Sequence, residues 1–335
     1  MLSRNYKSAT GEGWYGRVDS TEDFDAFRWH QWVELIDLND EELKPFEGQL
    51  GFVFLGFKSD YGIQLNKGRV GAKNGPENIR SELSNKPCTF SKELKLFDAG
   101  NIEIGSSSLE EAQDALAEAV DKILSLNLFP IILGGGHETA FGHYKGLMKN
   151  LESVENPPNI GIINFDAHFD IRPYPNGGTS GTMFRQIHDL CLEKEIPYNY
   201  FCLGIQQHSN TVSLFKTAEE FGAKHILAKD LLKDDYYSTF EKLDDYIREQ
   251  EHIYITICSD VFSSAFAPGV SSPQPLGLDP ERVIILLKHI LTSGKTISFD
   301  IAEVSPKLDN DNITANLASV IIFTLVATLA RIEIK

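Results

Sequence analysis

Short apolar runs that do not alternate with polar residues recur along this chain, and they constrain its fold more than any other feature. Most of them end in glycine or in a polar cluster, and stretches with helical spacing lie between them. The clearest runs cover residues 51–56, 128–133, 160–163, 200–203, 253–257 and 296–299. Strands that are apolar on both faces and separated by helices are typical of a parallel sheet covered on both sides. The sequence therefore predicts a three-layer, doubly wound α/β fold with a mainly parallel sheet.

The stretches between these runs predict helices and one domain. Residues 109–126 place apolar side chains at helical spacing with charges opposite, and residues 282–291 predict a more deeply buried helix. The longest apolar run, 317–330, is shorter than the ~18 residues that span a membrane, so we expect a buried helix or strand there. Because no linker divides the chain, we expect one domain over residues 1–335. Its less regular segment, 1–45, is expected to cover part of the site or an interface.

The charge and the cysteines exclude several classes of partner. The chain has 31 Lys and Arg against 48 Asp and Glu, a net charge of -17, so its surface repels nucleic acid and anionic membranes. We expect neither as a partner, and a small anion would need a local group of Lys or Arg. The four cysteines, Cys88, Cys191, Cys202 and Cys258, are far apart in the sequence, and no signal-peptide pattern precedes them. We expect a cytoplasmic protein.

The segment from Asp166 to Asp170 is the strongest functional signal. It follows the run 160–163 and places Asp166, His168 and Asp170 two residues apart. If the chain stays extended, the three side chains lie on one side. Two carboxylates and an imidazole suit a divalent ion such as Mn²⁺. Ordinary turn and capping residues would give the same short pattern, so this segment alone does not decide the matter.

Two other strand ends carry similar residues. His137 follows three glycines after the run 128–133, and Cys258 and Asp260 follow the run 253–257. Each residue also has an interpretation without a metal ion. His137 could be a surface histidine with its hydrogen bonds made in a glycine-rich turn, and Cys258 could be a small apolar residue of the core. The carboxyl ends of parallel strands form the ligand-binding edge of such a sheet. Three strand ends together therefore predict a metal site there.

Four motifs in order resemble those of the ureohydrolase superfamily, which includes arginase, agmatinase and formimidoylglutamase. They are GGGHE at 134–138, DAHFD at 166–170, the stretch 260–269 and DIAEVSP at 300–306, and the resemblance spans residues 50–330. It implies an arginase-like fold with two Mn²⁺ ions at the carboxyl edge of the sheet. Within the superfamily, WYGR at 14–17, RWHQ at 28–31, NKGRVG at 66–71 and Cys258 are most similar to the bacterial formimidoylglutamases of histidine degradation.

The resemblance also implies which residues hold the metal ions. By position, His137 and Asp170 would complete one site, His168 and Asp260 would complete the other, and Asp166 would bridge both. The superfamily pattern has a second bridging aspartate where this chain has Cys258. A thiolate is a softer donor than Mn²⁺ prefers. Cys258 is therefore interpreted as a weak ligand of one metal ion or as a redox-sensitive ligand.

The reaction implied by the resemblance is the hydrolysis of N-formimidoyl-L-glutamate to L-glutamate and formamide. A Mn-bound hydroxide would attack the amidine carbon. Asp170 would pass a proton to the leaving nitrogen, and Glu303 would hold the amidinium by charge-assisted hydrogen bonds. The two substrate carboxylates need cations, and Lys67, Arg69 and Arg172 are predicted to supply them. Each of these three could instead be a solvated surface charge.

Two alternatives stay open on sequence alone. One is another ureohydrolase that acts on agmatine or a guanidino acid; agmatine would need an anionic pocket for its amine, whereas residues 66–69 supply cations. The other is a catalytically silent, metal-poor relative, which Cys258 motivates. The proton-shuttling histidine of arginase-like members has no counterpart in 178–184, and His188 is expected to be structural. The family resemblance also implies homo-oligomers.

Overall fold

The fold is seen in a computed structural model that describes residues 2–154, 158–233 and 235–333. The strands of the described residues join in one ten-stranded sheet. They are β1 (Tyr6–Lys7), β2 (Val33–Leu35), β3 (Gly51–Lys58), β4 (Lys95–Glu103), β5 (Phe129–Leu133), β6 (Ile160–Phe165), β7 (Asn199–Ile205), β8 (Lys224–Leu227), β9 (His252–Cys258) and β10 (Thr296–Ala302).

The order of the strands brings distant parts of the chain together. It is β1-β4-β3-β5-β10-β9-β6-β7-β8, with β2 also paired to β4. Within these residues only the pair of β1 with β4 is antiparallel. The four central strands β5, β10, β9 and β6 are therefore parallel neighbours, and their carboxyl ends meet at one edge.

Helices cover both faces of the sheet. The helices of the described residues are α1 (Tyr61–Leu65), α2 (Gly75–Ser84), α3 (Leu109–Ser125), α4 (Thr139–Leu151), α5 (Met183–Glu193), α6 (Val212–Glu220), α7 (Ala228–Leu231), α8 (Tyr237–Arg248), α9 (Pro280–Leu291) and α10 (Ile313–Glu333). Helices α2 and α7 to α10 pack on one face, and α3 to α6 pack on the other. This arrangement confirms the predicted three-layer α/β fold.

The strand sequences explain why both faces are covered. Phe52 and Phe54 of β3 enter the core on one side of the sheet, whereas Val53 and Leu55 enter the core on the other. Successive side chains of a strand point to opposite faces, so a strand with apolar residues at every position must be covered twice. All six predicted runs lie in or overlap strands of this kind, and both predicted helices are present as α3 and α9.

Strand β4 was not predicted, because polar residues interrupt it. Asp98 and Asn101 lie within it and both accept hydrogen bonds from Arg80 of α2, at 2.8 Å from Arg80 Nε to Asp98 Oδ2 and 2.9 Å from Nη1 to Asn101 Oδ1. Arg80 is only 2% exposed. A buried charge is tolerated when it is paired and hydrogen-bonded. Strand β8, also unpredicted, is four residues at the sheet edge.

The amino-terminal segment packs at the edge of the sheet. Strands β1 and β2 pair with β4, and Trp14 Nε1 donates to Asp98 Oδ2 at 2.5 Å. Trp29 is fully buried. The residues that line the central cavity begin at Asn66. The described part of this segment therefore lies outside the cavity lining, because its aromatic side chains pack into the core. The alternative expectation, that the segment forms an interface, stays a prediction.

The carboxyl-terminal helix is longer than the sequence run predicted. Helix α10 contains one stretch, Ile313–Arg331, that is long and apolar enough to cross a membrane by length and composition. The run predicted from the sequence, 317–330, was too short, because the helix continues through Thr314 and Asn316 to Ile313 and the whole stretch is apolar on average. The helix packs against α2 and α9, and 61% of that stretch is buried inside the fold. It serves as a core helix, as expected.

Candidate metal centre

The four central strands each end in residues that the sequence analysis singled out. The segment after β5 carries His137, the segment after β6 carries Asp166, His168 and Asp170, β9 ends in Cys258 followed by Asp260, and β10 is followed by Glu303. Because these strands are parallel neighbours, the side chains gather at one edge of the sheet. The structure therefore brings together the residues predicted from four separate segments.

A glycine loop positions His137. Gly136 N donates to Ser59 O at 2.8 Å, and Glu303 N donates to Gly135 O at 2.8 Å, so the loop is bound between β3 and β10. A Cβ atom added at Gly135 would lie 1.8 Å from Ser59 O. A side chain at this position would separate the two backbones. The glycines are therefore required by the close approach of the chain segments that carry His137 and Glu303.

His137 is buried with its two ring nitrogens in different surroundings. Nε2 lies 2.9 Å from Thr256 Oγ1, whereas Nδ1 lies 3.0 Å from Asp166 Oδ2 and 3.5 Å from Asp170 Oδ2. Burial acts to lower the pKa of His137, but the two carboxylates outweigh it and hold that pKa well above its usual value. The surroundings of Nδ1 therefore favour a positive charge.

Asp166, His168 and Asp260 form a second group. His168 Nδ1 lies 3.0 Å from Asp260 Oδ2 and 3.5 Å from Asp166 Oδ1, and the backbone N–H of His168 donates to Asp166 Oδ1 at 2.8 Å. Burial acts to raise the pKa of Asp166, but the contacts with both histidines outweigh it and lower the pKa. Asp166 is fully buried between His137 and His168. Its carboxylate belongs to both groups of possible ligand atoms.

Asp170 reaches the centre by a route that differs from the prediction. Strand β6 ends at Phe165, and Asp170 has a left-handed φ of 51°, so the chain from Asp166 to Asp170 is not extended. The alternation argument was wrong for this reason. The carboxylate nevertheless faces His137 at 3.5 Å and accepts a hydrogen bond from Arg172 Nη1 at 3.0 Å.

Cys258 lies within the centre as a buried thiol. Its Sγ forms a compact group with ligand atoms of His137 and Asp166. Burial, followed by the charges of Asp166 and Asp260, raises the pKa of the thiol well above its usual value. A thiolate would form here only if a bound cation offset these charges.

The donor atoms fit one or two divalent cations. Two sets have ligand atoms within 4.8 Å of one another, His137 with Asp166 and Cys258, and Asp166 with His168 and Asp260. His137 Nδ1 and Asp260 Oδ1 are buried and have no hydrogen-bond partner among the described residues. Buried polar atoms normally have a partner. Unpaired donor atoms that converge on an anionic cluster are what a cation such as Mn²⁺ would satisfy.

Glu303 lies beside the metal-ligand cluster with one oxygen unused. Its Oε1 accepts from the backbone N–H of His137 at 3.2 Å, and its Oε2 is buried without a hydrogen-bond partner among the described residues. Burial, together with the charges of Asp260 and Glu138, raises the pKa of Glu303 well above its usual value. A cationic group in the cavity would stabilise its ionised form.

A cavity of about 320 Å³ opens above this cluster. The predicted cations Lys67, Arg69 and Arg172 all line it. Lys67 has a left-handed φ of 61°. Arg69 is partly committed elsewhere, because Nε donates to Ser271 O at 2.9 Å and Nη2 donates to Val270 O at 2.7 Å. The cavity therefore has an acidic floor and a basic rim.

Some cavity residues were not predicted. Asn66, Gly68, Ser180, Ser271 and Ser272 line it as well. The pair Ser271 and Ser272 lies just beyond the stretch 260–269 that resembles the family motif, between Gly269 and Pro273. A polar pair in a loop that follows a motif strand was the available signal. His188, expected to be structural, stacks on Phe221 with ring centroids 3.6 Å apart and does not line the cavity.

Comparison with known proteins places the chain in a family. The Arginase family model matches residues 51–327. A formimidoylglutamase of Clostridium tetani is 59% identical over 333 residues, which are 99% of this chain and 98% of that protein. Among solved structures, formimidoylglutamase from Bacillus subtilis has a TM-score of 0.78 at 22% identity and covers 93% of this chain and 94% of its own.

A second solved structure has the same fold. Trypanosoma cruzi formiminoglutamase with Mn²⁺ has a TM-score of 0.74 at 23% identity, over 86% of this chain and 97% of its own. The family match over most of the chain and the 59% identity over nearly its full length lead to one conclusion. The chain belongs to the arginase family and is a hydrolase of amidines.

Proposed function

We propose that this chain hydrolyses N-formimidoyl-L-glutamate to L-glutamate and formamide. The observation that carries the proposal is the cavity with a metal-ligand cluster and Glu303 at its floor and cations at its rim. An amidinium with two carboxylates matches this division of charge. The relative that is 59% identical is itself named a formimidoylglutamase.

We propose that the floor holds two Mn²⁺ ions. His137, Asp166, Asp170 and Cys258 would hold one ion, and Asp166, His168 and Asp260 would hold the other. This division extends the ligand set implied by the family with the position of Cys258. When bound, the ions supply hydroxide at neutral pH by lowering the pKa of water.

Glu303 and Asp170 are proposed to act on the substrate directly. The unpaired Oε2 of Glu303 would accept hydrogen bonds from the amidinium and orient its carbon toward the metal-ligand cluster. Water adds to that carbon, and the bond from the carbon to the glutamate nitrogen breaks. Asp170, which lines the cavity, would take the proton that the water loses and deliver it to the leaving nitrogen.

The cations at the rim are proposed to bind the two carboxylates. Arg172 and Lys67 line the cavity, and so does Arg69, whose Nε and Nη2 hold the loop at Ser271 and Val270 and whose Nη1 would contact the substrate. Planar guanidinium groups suit carboxylates. Agmatine instead carries a second cation, which this rim would repel.

We also propose that residues 1–335 form one domain that works in the cytoplasm. All ten strands of the described residues share one sheet, which supports a single domain. All four cysteines are free and buried, which supports a reducing compartment.

The experiment is formamide release from N-formimidoyl-L-glutamate by the purified protein under reducing conditions, with and without Mn²⁺. Agmatine, arginine and guanidinobutyrate, assayed for urea, are the parallel substrates. Mn-dependent turnover of formimidoylglutamate alone is the expected result. Urea release would favour another ureohydrolase, and no turnover by folded, metal-loaded protein would favour a silent relative.

A further inference from the structure

A series of buried hydrogen bonds leads from His137 to residues that do not line the cavity. It joins His143 of α4, Asp300 of β10 and Thr256 of β9, all of which are fully buried. His143 Nδ1 lies 2.6 Å from Asp300 Oδ2, and Thr256 Oγ1 donates to Asp300 Oδ1 at 2.6 Å. Thr256 Oγ1 also lies 2.9 Å from His137 Nε2. These hydrogen bonds therefore connect α4 to His137.

The direction of these bonds follows from the hydroxyl of Thr256. It has a single hydrogen, which it donates to Asp300, so its oxygen accepts the hydrogen of His137 Nε2. A neutral His137 that carries its hydrogen on Nε2 has a bare Nδ1. That bare nitrogen faces Asp166 Oδ2 at 3.0 Å. A metal ligand needs such a lone pair, and the hydrogen bond on the other nitrogen decides which nitrogen offers it.

Asp300 is held in place from several sides. Besides the hydrogen bond from Thr256, it accepts one from the hydroxyl of Tyr254 and one from His143 Nδ1. His143 Nε2 is paired in turn with Ser298 Oγ. These donors hold the Asp300 carboxylate from the side of α4 and from β9. His143, Asp300 and Thr256 do not line the cavity, so the substrate does not explain them.

We propose that His143 and Asp300 are positioning residues that act through Thr256 to orient the His137 ring and thereby set the metal affinity of the His137 side of the centre. The inference deepens the proposed function, because it rests on the metal centre assigned there. Neither His143 nor Asp300 would touch a metal ion. Their effect is transmitted by one hydroxyl.

The first test is Mn²⁺ binding by Thr256→Val, which keeps the shape of the side chain and removes the hydroxyl. Free Mn²⁺ is followed by electron paramagnetic resonance as the metal-free protein is titrated. Removing a group behind a metal ligand weakens binding by about 10- to 100-fold. We expect a loss in that range for one Mn²⁺ ion, and Thr256→Ser is expected to restore the affinity.

The matched control is Thr296→Val. Thr296 begins β10 at the far end of the strand, and its hydroxyl has no hydrogen-bond partner among the described residues. The control should bind Mn²⁺ as the unchanged protein does. If Thr256→Val does not fold, as judged by circular dichroism, Thr256→Ala removes the same hydroxyl without adding bulk on that side, and the comparison is made with it.

A double substitution tests whether the effect of His143 passes through Thr256. His143→Leu alone is expected to weaken Mn²⁺ binding several-fold, and His143→Gln, which can still donate to Asp300, is expected to lose less. In the Thr256→Val background, His143→Leu should cause no further loss. A merely structural role of His143 would instead give losses that multiply.

The outcomes separate this inference from the proposed function. If the unchanged protein binds no Mn²⁺, the metal centre itself is refuted. If the unchanged protein binds Mn²⁺ and folded Thr256→Val binds it equally well, the metal centre stands and the positioning role is overturned. If the losses of Mn²⁺ affinity from His143→Leu and Thr256→Val multiply in the double variant, His143 does not act through Thr256, and the inference is likewise overturned.

Discussion

At the scale of single residues, Glu303 is the carboxylate whose charge matters most to the proposed reaction. Glu303→Gln keeps the shape of the side chain and removes the charge that would hold the amidinium. A hydrogen bond to a charged group contributes about 1.5–3 kcal/mol, and each 1.4 kcal/mol is about a factor of ten. We expect kcat/KM for formimidoylglutamate to fall by roughly 10- to 100-fold, measured as formamide release. An unchanged kcat/KM in a folded variant would contradict the assignment.

Cys258 gives the second prediction at this scale. Cys258→Asp replaces a soft donor by the hard oxygen donor that Mn²⁺ prefers, at a position beside His137 and Asp166. We expect the variant to retain more Mn²⁺ per chain after dialysis than the unchanged protein, measured by elemental analysis. Cys258→Ala, which removes the donor, is the matched control and should retain less. Equal retention by all three proteins would show that residue 258 is not a ligand.

The Arg69 side chain has two roles, one in holding a loop and one in lining the cavity, and a single substitution would remove both. It holds the loop at Val270 and Ser271 and also lines the cavity. Arg69→Ala is therefore expected to raise KM for formimidoylglutamate by about tenfold or more, from the loss of a charged hydrogen bond. The measurement is initial-rate kinetics, with the exposed Arg248 on α8 changed to Ala as control. Unchanged kinetics would exclude Arg69 from the binding of substrate.

At the scale of elements, the glycine loop after β5 gives a sharp prediction. A Cβ at residue 135 would lie 1.8 Å from Ser59 O, a backbone atom that cannot move aside without β3. Gly135→Ala should therefore destabilise the fold by about 1–3 kcal/mol or more and displace His137. Thermal unfolding and Mn²⁺ binding measure the two effects. Gly222→Ala, where no atom lies within 4 Å, is the control and should cost only the strain of its φ of 70°.

The sequence predicted those strands and helices whose formation depends on residues close together in the sequence. Apolar runs such as 253–257 define central strands by themselves, and the ligand types at their ends follow because parallel strands share one edge. Strand β4 could not be predicted in this way, because Asp98 becomes acceptable only once Arg80 of α2 pairs with it. The conformation of Asp170 was mispredicted because the alternation argument assumed an extended chain, whereas Asp170 has a left-handed φ of 51°.

The residues of the candidate site also divide into those that the local sequence predicted and those that it did not. His137 and Cys258 were identified because they lie at the carboxyl ends of buried strands, where an α/β sheet binds its ligand, and Glu303 was identified from the family resemblance. His143 and Thr256 were not identified, because a polar residue within a helix or a strand has no distinctive sequence pattern. Their role becomes visible only when β10 brings Asp300 between them.

At the scale of the whole molecule, the metal centre is proposed to stabilise the fold. Converging carboxylates repel one another when no cation is present, and a ligand that binds only the native state stabilises it by about 2.7 kcal/mol at one hundred times its Kd. We expect a higher unfolding temperature in Mn²⁺ than after treatment with EDTA, measured by differential scanning fluorimetry. Asp166→Asn, which removes the shared charge, should respond much less. An equal response by both proteins would contradict binding at this centre.

Strand β10 comes last in sequence among the strands of the described residues, yet it lies between β5 and β9 and pairs with both. While the protein is being synthesised, the part of the sheet that ends in β5 has no hydrogen-bonded connection to the part formed by β9, β6, β7 and β8. His137 is then on one part, and the aspartates are on the other. The pairing of β10 with both parts joins them, so the set of His137, Asp166 and Cys258 depends on this strand. The set of Asp166, His168 and Asp260 does not depend on it, because β6 and β9 pair directly. We therefore expect that only the chain with β10 in place holds the complete metal centre.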